Sequence, residues 1–420
     1  MNAPRHGRRL LVSAALLAAA TLPFGPTAAA EPAPAPAPAP APAGKLQLAG
    51  PTETAVPDSW IVVLKEPAAD RSVHALLARA DGARLGHVYR SALHGFSARM
   101  SRAQAARLAA DPRVARVHQD TRVTLEDPAR PAPAGLTPTA TQPDAPWGLD
   151  RIDQRLLPLS TTYTYRTTAA AVRVYVIDTG LRTTHTEFGG RASVGTDTVG
   201  DGQNGNDCHG HGTHVGGIVA GRTYGVAKEA RPVAVRVLNC QGSASTSGVI
   251  AGVDWVTANA VRPAVANMSL GGGVSTALDA AVRGSIRAGI TYTASAGSSG
   301  RPDGACSTSP VRLPEIIGVG ASDRQDRRAS SSNYGNCVTL FAPGVGIPSA
   351  WKDGDTATAT LSGTSAATAH TAGAAALHLA LHPAATPGQV KQALVAGATT
   401  GVLQGTPPVA PDRLLHTLYR

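Results

Sequence analysis

Three short motifs carry side chains that could together turn a serine into a nucleophile. Asp178 ends an apolar, β-branched run, His211 lies between two glycines, and Ser365 follows a Gly-Thr pair ahead of a long run of small residues. A serine hydroxyl needs a neighbouring base to attack at neutral pH, and the base needs an orienting carboxylate. The chain order Asp178, His211, Ser365 is one of the orders in which such triads occur. Together the motifs predict nucleophilic catalysis by Ser365.

Each motif also has a simpler explanation when it is considered alone. Ser365 could be an ordinary helix N-cap, and Asp178 could be a turn residue at a strand end. His211 and His214 are three residues apart, so they could share a helix face as metal ligands. The glycines beside His211 instead indicate a backbone packed closely around one imidazole, and the three motifs taken together favour catalysis.

The segments that must position these residues alternate between strand and helix patterns. Such alternation predicts an α/β domain with a doubly wound, mostly parallel sheet, whose functional groups lie beyond the carboxyl ends of the strands. Ser365 would lie in the first turn of the last helix, where backbone N–H groups and the helix dipole favour negative charge. The predicted strands are 172–177, 232–238, 264–268, 291–295 and 316–319, and the predicted helices are 211–219, 247–258, 276–288 and 366–381.

The first 57 residues have the composition of an export signal followed by a linker. Three arginines before residue 10 precede an apolar run at 10–22, and a small-residue cleavage site follows at 28–30, so residues 1–30 predict a signal peptide. A membrane anchor is the alternative, but the apolar run is short for spanning a bilayer. Residues 31–57 are Pro- and Ala-rich and predict an extended linker. We expect a secreted protein with no membrane association after signal removal.

Composition divides the rest of the chain into two domains. Residues 58–122 predict a small domain with the order β-α-β-β-α-β, a split βαβ or ferredoxin-like pattern. A Pro-, Ala- and Thr-rich linker at 123–139 precedes a large domain at 140–420, which contains all four cysteines. Export permits disulfides, although the spacing alone leaves three pairings open. The net charge of +10 is not gathered into a basic stripe, so no nucleic-acid partner is expected.

Four motifs occur in the order V-I-D-T-G, G-H-G-T-H-V, N-M-S-L-G-G and S-G-T-S, and with them residues 140–419 resemble the subtilisin-like serine proteases. The similarity is greatest to the proteinase K branch and, within it, to the aqualysin-type secreted enzymes. The resemblance implies that Asp178 orients His211, that His211 is the general base and acid, and that Ser365 attacks the scissile carbonyl. It also implies a monomeric, broad-specificity endopeptidase of polypeptides that needs no cofactor for its chemistry.

The small domain resembles the inhibitor-type propeptide of the same family. The resemblance implies an intramolecular chaperone and inhibitor whose C-terminal tail occupies the active site until self-processing near Ala140. It also implies two segments that hold a peptide as an added strand, a backbone-directed mode of recognition that accepts many sequences. These segments are Gly242, Ser243, Ala244 and Ser269, Leu270, Gly271, and the implied disulfides join Cys208 to Cys240 and Cys306 to Cys337.

Two departures from the family pattern bear on activity. Ser298 stands where the family has an Asn that, with the backbone N–H of Ser365, forms the oxyanion hole. Ala366 and Ala369 stand where the family has a Met and a Pro. The alternative to an active protease is therefore an attenuated or inactive relative that acts as a binding or decoy protein. An esterase or acyltransferase would share the triad, but strand-pairing segments beside a peptide channel argue against it.

The calcium sites of the family are only partly retained. Beside the Pro310 loop, where related enzymes have a carboxylate, this chain has Thr339, and a hard cation prefers charged oxygen ligands. Another family site matches better and is the candidate for structural calcium, with an exposed acidic turn as the simpler explanation. Its residues are Asp150, Asp153 and Gln154, with Ser160 and Thr162 as further candidate ligands.

Overall fold

The computed structural model describes residues 45–51, 53–65, 70–125 and 141–418. The predicted signal peptide and most of the two predicted linkers lie outside these ranges. The described residues form a small sheet region that ends near residue 125 and a large α/β region that begins at residue 141.

The small region is a five-stranded sheet with two helices. Its elements are β1 (Leu46–Gln47), β2 (Ala55–Leu64), α1 (Asp70–Ala78), β3 (Arg84–Tyr89), β4 (Gly95–Arg99), α2 (Arg102–Ala109) and β5 (Val114–Thr124). The strand order is β1-β5-β2-β4-β3, and only β1 runs parallel to its neighbour. Ser101 caps α2 in a capping box with Gln104. The predicted β-α-β-β-α-β order is confirmed, with β1 added at one edge.

The large region is built on a seven-stranded parallel sheet. Its first elements are β6 (Thr141–Pro143), α3 (Trp147–Ile152), β7 (Thr162–Thr164), β8 (Arg173–Asp178), β9 (Ser193–Asp197), α4 (His211–Ala220), β10 (Arg231–Arg236), β11 (Ser243–Ser245), α5 (Thr246–Asn259) and β12 (Ala264–Met268). They are followed by α6 (Thr276–Arg287), β13 (Thr291–Ser295), β14 (Ile317–Ser322), β15 (Leu340–Pro343), β16 (Ile347–Ala350), β17 (Thr358–Leu361), α7 (Thr364–Leu381) and α8 (Pro387–Gly397). Short 3₁₀ helices occur at Thr186–Phe188 and Gly304–Ser307.

Helices cover both faces of this sheet, which has the order β15-β14-β13-β12-β8-β10-β9. Along β8, Val174 and Val176 face a core shared with α4 and α7, whereas Tyr175 and Ile177 face a core shared with α5 and α6. Alternate residues of a strand point to opposite faces, so a strand buried on both sides is apolar throughout. The predicted doubly wound parallel sheet is confirmed.

Two element boundaries differ from the prediction in ways that matter for the site. Helix α7, the last of the predicted helices, begins at Thr364, two residues earlier than predicted, and Ser365 lies in its first turn. Strand β5 continues to Thr124, into the predicted linker at 123–139. The sequence gives no local signal for this extension because its pairing partners, Ser243–Ser245, are distant in the chain.

Both disulfides form in the large region. Cys208 is joined to Cys240 across 32 residues, and Cys306 is joined to Cys337 across 31 residues. Loops of this length are worth about 3–4 kcal/mol each in the chain-entropy model. Cys208 lies three residues before His211, so the first disulfide also restrains the loop that leads to this histidine.

Candidate active site

Asp178 and His211 are brought together at the carboxyl end of the parallel sheet. Asp178 is the last residue of β8, and His211 is the first residue of α4. Both side chains are buried, and His211 Nδ1 lies 2.7 Å from Asp178 Oδ1. A neutral imidazole whose Nδ1–H donates to a carboxylate presents Nε2 as its basic nitrogen. The pair therefore has the geometry of a general base with its orienting acid.

A second buried carboxylate, Asp207, holds these two elements in place. Its Oδ1 accepts hydrogen bonds from Gly210 N at 2.7 Å and Thr179 Oγ1 at 2.9 Å. Its Oδ2 accepts from Thr213 N at 2.8 Å, and Thr179 Oγ1 in turn accepts from Gly212 N at 2.8 Å. The network joins the end of β8 to the first turn of α4. The sequence analysis missed Asp207, whose only local signal is its position just before the histidine motif.

The residue after His211 is a glycine because the packing leaves no room for a side chain there. A Cβ atom on Gly212 would lie 2.2 Å from Gly180 O, so no side chain fits between β8 and α4. His214, the other histidine of the motif, has Nε2 3.0 Å from Ile347 O, away from the Asp178 contact. Burial lowers the pKa of His214 to about 3, so its ring is neutral at physiological pH. The two histidines therefore serve different contacts rather than one metal site.

Ser365 lies in the first turn of α7, opposite the segment that follows β12. Its Oγ donates to Ser269 O at 3.2 Å, while Ser269 Oγ donates to Ser365 O at 3.0 Å. Asn267 Nδ2 donates to Ser269 Oγ at 2.8 Å, which fixes this hydroxyl from below. Ala366 and Ala369 are buried in the core beneath the serine. The helix N-terminus supplies backbone N–H groups and positive potential beside Ser365.

Ser298 lies beside the same helix terminus but is already engaged there. Its Oγ accepts a hydrogen bond from Thr364 N at 3.2 Å and lies 3.2 Å from Thr364 Oγ1. Ser298 and Ser365 both line the cleft that also contains Gly297. The structure thus places Ser298 near the predicted oxyanion hole, with its hydroxyl oxygen in contact with Thr364.

The predicted strand-pairing segments lie on either side of the tail of the small region. β5 pairs antiparallel with β11, with Thr124 opposite Ser243, and an antiparallel bridge joins Thr124 to Gly271 on the other side. Leu125 N donates to Gly242 O at 3.0 Å. Residues 124 and 125 line the same cleft as Ser365. The tail is therefore an added strand between the two segments.

Two buried or partly buried carboxylates fix the small region on the large one. Asp254 on α5 accepts hydrogen bonds from Ser91 N and Ala92 N, each at 2.7 Å. Asp120 on β5 accepts from Ser247 N at 3.0 Å and Ser247 Oγ at 2.6 Å, at the N-terminal end of α5. A carboxylate at a helix N-terminus is favoured by the helix dipole. These contacts set the position from which the tail enters the cleft.

The candidate calcium residues run from the end of α3 to the start of β7, a segment called the Asp150 loop below. Asp150 Oδ1 accepts from Ser160 N at 3.0 Å and Ser160 Oγ at 2.9 Å, and Ser160 Oγ lies 2.8 Å from Thr162 Oγ1. Gln154 Oε1 accepts from Ser160 N at 3.2 Å. Asp153 Oδ1 is buried and accepts no hydrogen bond from any described residue. Burial, with Asp150 nearby, raises the pKa of Asp153 to about 6. An orphaned carboxylate oxygen in an oxygen-rich loop suits a hard cation.

Comparison with known families identifies the large region. Residues 169–411 match the family model described as the subtilase family, peptidase S8. The chain belongs to the subtilase family. Residues 59–126 of this subtilase match the model of the peptidase inhibitor I9. The predicted serine peptidase class, subtilisin-like fold and inhibitor-type propeptide are confirmed, and subtilases need no cofactor for catalysis.

Individual relatives agree with this assignment. An extracellular serine proteinase of Thermus sp. (strain Rt41A) is 50% identical over 339 residues, covering 81% of this chain and 79% of its own. An alkaline serine exoprotease A of Vibrio alginolyticus is 43% identical over 382 residues, covering 88% and 69%. The crystal structure of a cold adapted subtilisin-like serine proteinase is 50% identical and superposes with a TM-score of 0.64, covering 66% of this chain and all of that one.

The prediction of a secreted protein is confirmed. Among the described residues, no helix has the length and apolar character needed to cross a membrane.

Proposed function

We propose that this subtilase is a broad-specificity endopeptidase in which Asp178, His211 and Ser365 form the catalytic triad. The observation that carries the proposal is the peptide strand in the cleft: the tail at Thr124 and Leu125 lies in the same cleft as Ser365. The buried 2.7 Å contact between Asp178 and His211 supplies the base. The alternative of a decoy protein is not supported by the relatives, which are named as proteases.

The chemistry would proceed through an acyl-enzyme. Ser365 Oγ attacks the scissile carbonyl carbon while His211 Nε2 takes the hydroxyl proton, and the negative charge on the carbonyl oxygen faces the N-terminus of α7. Collapse breaks the C–N bond, and His211 returns the proton to the leaving amine. Water, deprotonated by the same histidine, then releases the acyl group and restores the serine. Asp178 keeps Nδ1 protonated and stabilises the imidazolium throughout.

Broad specificity is supported by how the cleft holds its strand. The contacts to the tail on both sides are backbone pairings, including Leu125 N to Gly242 O. No charged side chain is among the described residues that line the cleft around Ser365. Recognition through the backbone makes few demands on side chains. We therefore expect unfolded polypeptides of varied sequence to be substrates.

Self-processing is supported by the register of the tail. Thr124 is opposite Gly271 in an antiparallel bridge, so each step forward along the tail is one step back along the facing segment. Two steps back is Ser269, whose carbonyl contacts the Ser365 hydroxyl. We infer that the first cut follows position 126, inside the predicted linker 123–139. Processing near Ala140 would then be a later trimming step.

Inhibition by a serine-directed reagent tests the proposed function. After self-processing, the protein should degrade heat-denatured casein, and a phosphonylating reagent should block this activity by modifying Ser365. Intact mass should rise by one adduct, and peptide mapping should place the adduct on Ser365 rather than on the neighbouring Ser362. Hydrolysis of small esters without any casein cleavage would favour the esterase alternative. Absence of both activities would contradict the proposal.

We also propose a structural calcium ion at the Asp150 loop. Calcium should raise the Tm of the Ser365→Ala chain, and Asp153→Asn should remove most of this rise, because it removes one of two carboxylate ligands. The pKa of Asp153 is raised to about 6, so its charge is lost as the pH falls through that value. The calcium response should weaken over the same range. Thermal unfolding in calcium and in EDTA measures it, with exposed Asp81→Asn as the control. An equal response in Asp153→Asn would contradict this site.

A further inference from the structure

A lysine ammonium group lies where two backbone carbonyls converge, at residues that do not line the cleft around Ser365. Lys391 Nζ, on α8, donates to Pro314 O at 2.8 Å and to Ile316 O at 2.7 Å. These carbonyls belong to the turn that precedes β14. Thr339, which stands in place of a carboxylate in the family pattern, lines the same cavity as Lys391 and Pro314. The oxygen-rich turn therefore already holds a positive charge.

The charges around this turn do not fit a divalent cation. Arg413 lines the cavity together with Lys391, which places two positive side chains there. Glu315, the carboxylate in the turn, is paired with Arg283 Nε at 2.8 Å. Thr339 Oγ1 is neutral and already accepts a hydrogen bond from Gly318 N at 3.1 Å. Calcium prefers six to eight oxygen ligands with charged groups among them, and the described residues do not provide that set.

We propose that Lys391 is a built-in cation that holds the 314–316 turn to helix α8 in place of a metal ion. An ammonium group carries three N–H donors, so two carbonyls satisfy most of its hydrogen-bonding capacity. The carbonyl dipoles that would otherwise face each other in a partly buried turn are stabilised by the positive charge. The ion is covalently part of the chain, so this contact does not depend on the calcium concentration outside the cell.

Thermal unfolding of five chains, one of them Lys391→Arg, tests the proposal. All five carry Ser365→Ala to prevent self-cleavage and Asp153→Asn to suppress the calcium response of the Asp150 loop. The parent is compared with Lys391→Met, Thr339→Asp and the double variant, each in excess calcium and in excess EDTA. Lys391→Met keeps the apolar stem but removes the donors, and we expect Tm to fall by about 4–8 °C in both conditions. The double variant supplies a carboxylate and vacates the carbonyls. It should gain a calcium-dependent rise in Tm beyond that of the parent, and neither single variant should.

Three results would overturn the proposal. The first is an unchanged Tm in Lys391→Met, and the second is a double variant that responds to calcium no more than the parent. The third is a Tm of Lys391→Arg that falls as far as that of Lys391→Met. The guanidinium of Lys391→Arg can still donate to both carbonyls, so this variant should keep its Tm within about 2 °C of the parent, a change of under about 1 kcal/mol. If Lys391→Met does not fold, an equally damaged Lys391→Arg overturns the proposal, and a stable one supports it.

Discussion

The Ser365→Ala precursor is expected to stay at full length while the unchanged chain shortens itself. Alanine removes the Oγ atom that would form the proposed acyl-enzyme, and loss of the nucleophilic serine in a serine protease of this fold lowers kcat by about 10⁶-fold. The substitution removes one hydrogen bond, from Ser365 Oγ to Ser269 O, which is worth about 1 kcal/mol. The fold should therefore survive, and the loss should be one of chemistry.

A time course with intact mass and N-terminal sequencing measures this difference. The unchanged chain should yield a product that begins at residue 127, the cut that we infer from the pairing of Thr124 with Gly271. Ser362→Ala is the matched control, since its exposed hydroxyl accepts from Gly346 N and takes no part in the proposed chemistry. It should process at the normal rate. A first product that begins at Ala140 would contradict the register, and equal shortening in Ser365→Ala would contradict the nucleophile.

The Ser298→Asn variant is expected to be a faster enzyme than the unchanged chain. The Ser298 hydroxyl oxygen lies 3.2 Å from both the N and the Oγ1 of Thr364, on a side chain shorter than that of asparagine. A longer amide could donate an N–H to the oxyanion that forms near Ser365. Loss of such a donor in a protease of this fold costs about 10²–10³-fold in kcat, or about 2.7–4 kcal/mol. We expect Ser298→Asn to recover about 10²-fold in kcat, with KM little changed, because the contact exists only in the transition state.

Two further substitutions at this position test whether donation by the asparagine amide is what raises kcat. Ser298→Asp has nearly the shape of asparagine but carries a negative charge, so it should lower kcat below that of the unchanged chain. Ser298→Ala should change kcat by less than about fivefold, because we expect the short serine side chain not to reach the oxyanion. Steady-state kinetics on a peptide anilide with the processed enzyme measures all four chains. A drop of about 10²-fold in Ser298→Ala would show that the serine itself already supplies the oxyanion contact.

The small region blocks the cleft beside Ser365 before processing. Asp254 and Asp120 tie it to α5, and its last strand fills the cleft beside Ser365. A substrate would have to displace Thr124 and Leu125 from the same pairing segments. Full activity on casein is therefore expected to follow processing rather than precede it.

Local sequence determined the residues of the proposed triad and the elements that carry them. A short β-branched run that ends in Asp178 favours a strand buried on both faces, and the Gly-His-Gly pattern allows the close approach of α4 to β8. Ser365 follows a glycine and precedes a run of small residues, so it begins a buried helix. These features depend on residues close together in the chain, and short-range patterns are sufficient to predict them.

Tertiary structure alone decided the contacts that join distant segments. The extension of β5 to Thr124 requires β11, more than a hundred residues later, and Lys391 contacts Ile316 across 75 residues. Asp207 gains its role only because Thr179 and Thr213 converge on it. A hydrogen bond to a partner far along the chain leaves no periodic or local signal, since either residue alone is an ordinary surface or turn residue. The sequence therefore predicted the side chains of the proposed triad. Packing determined the Asp207 network that holds them, the tail that lies in their cleft and the contact of Lys391 with the 314–316 turn.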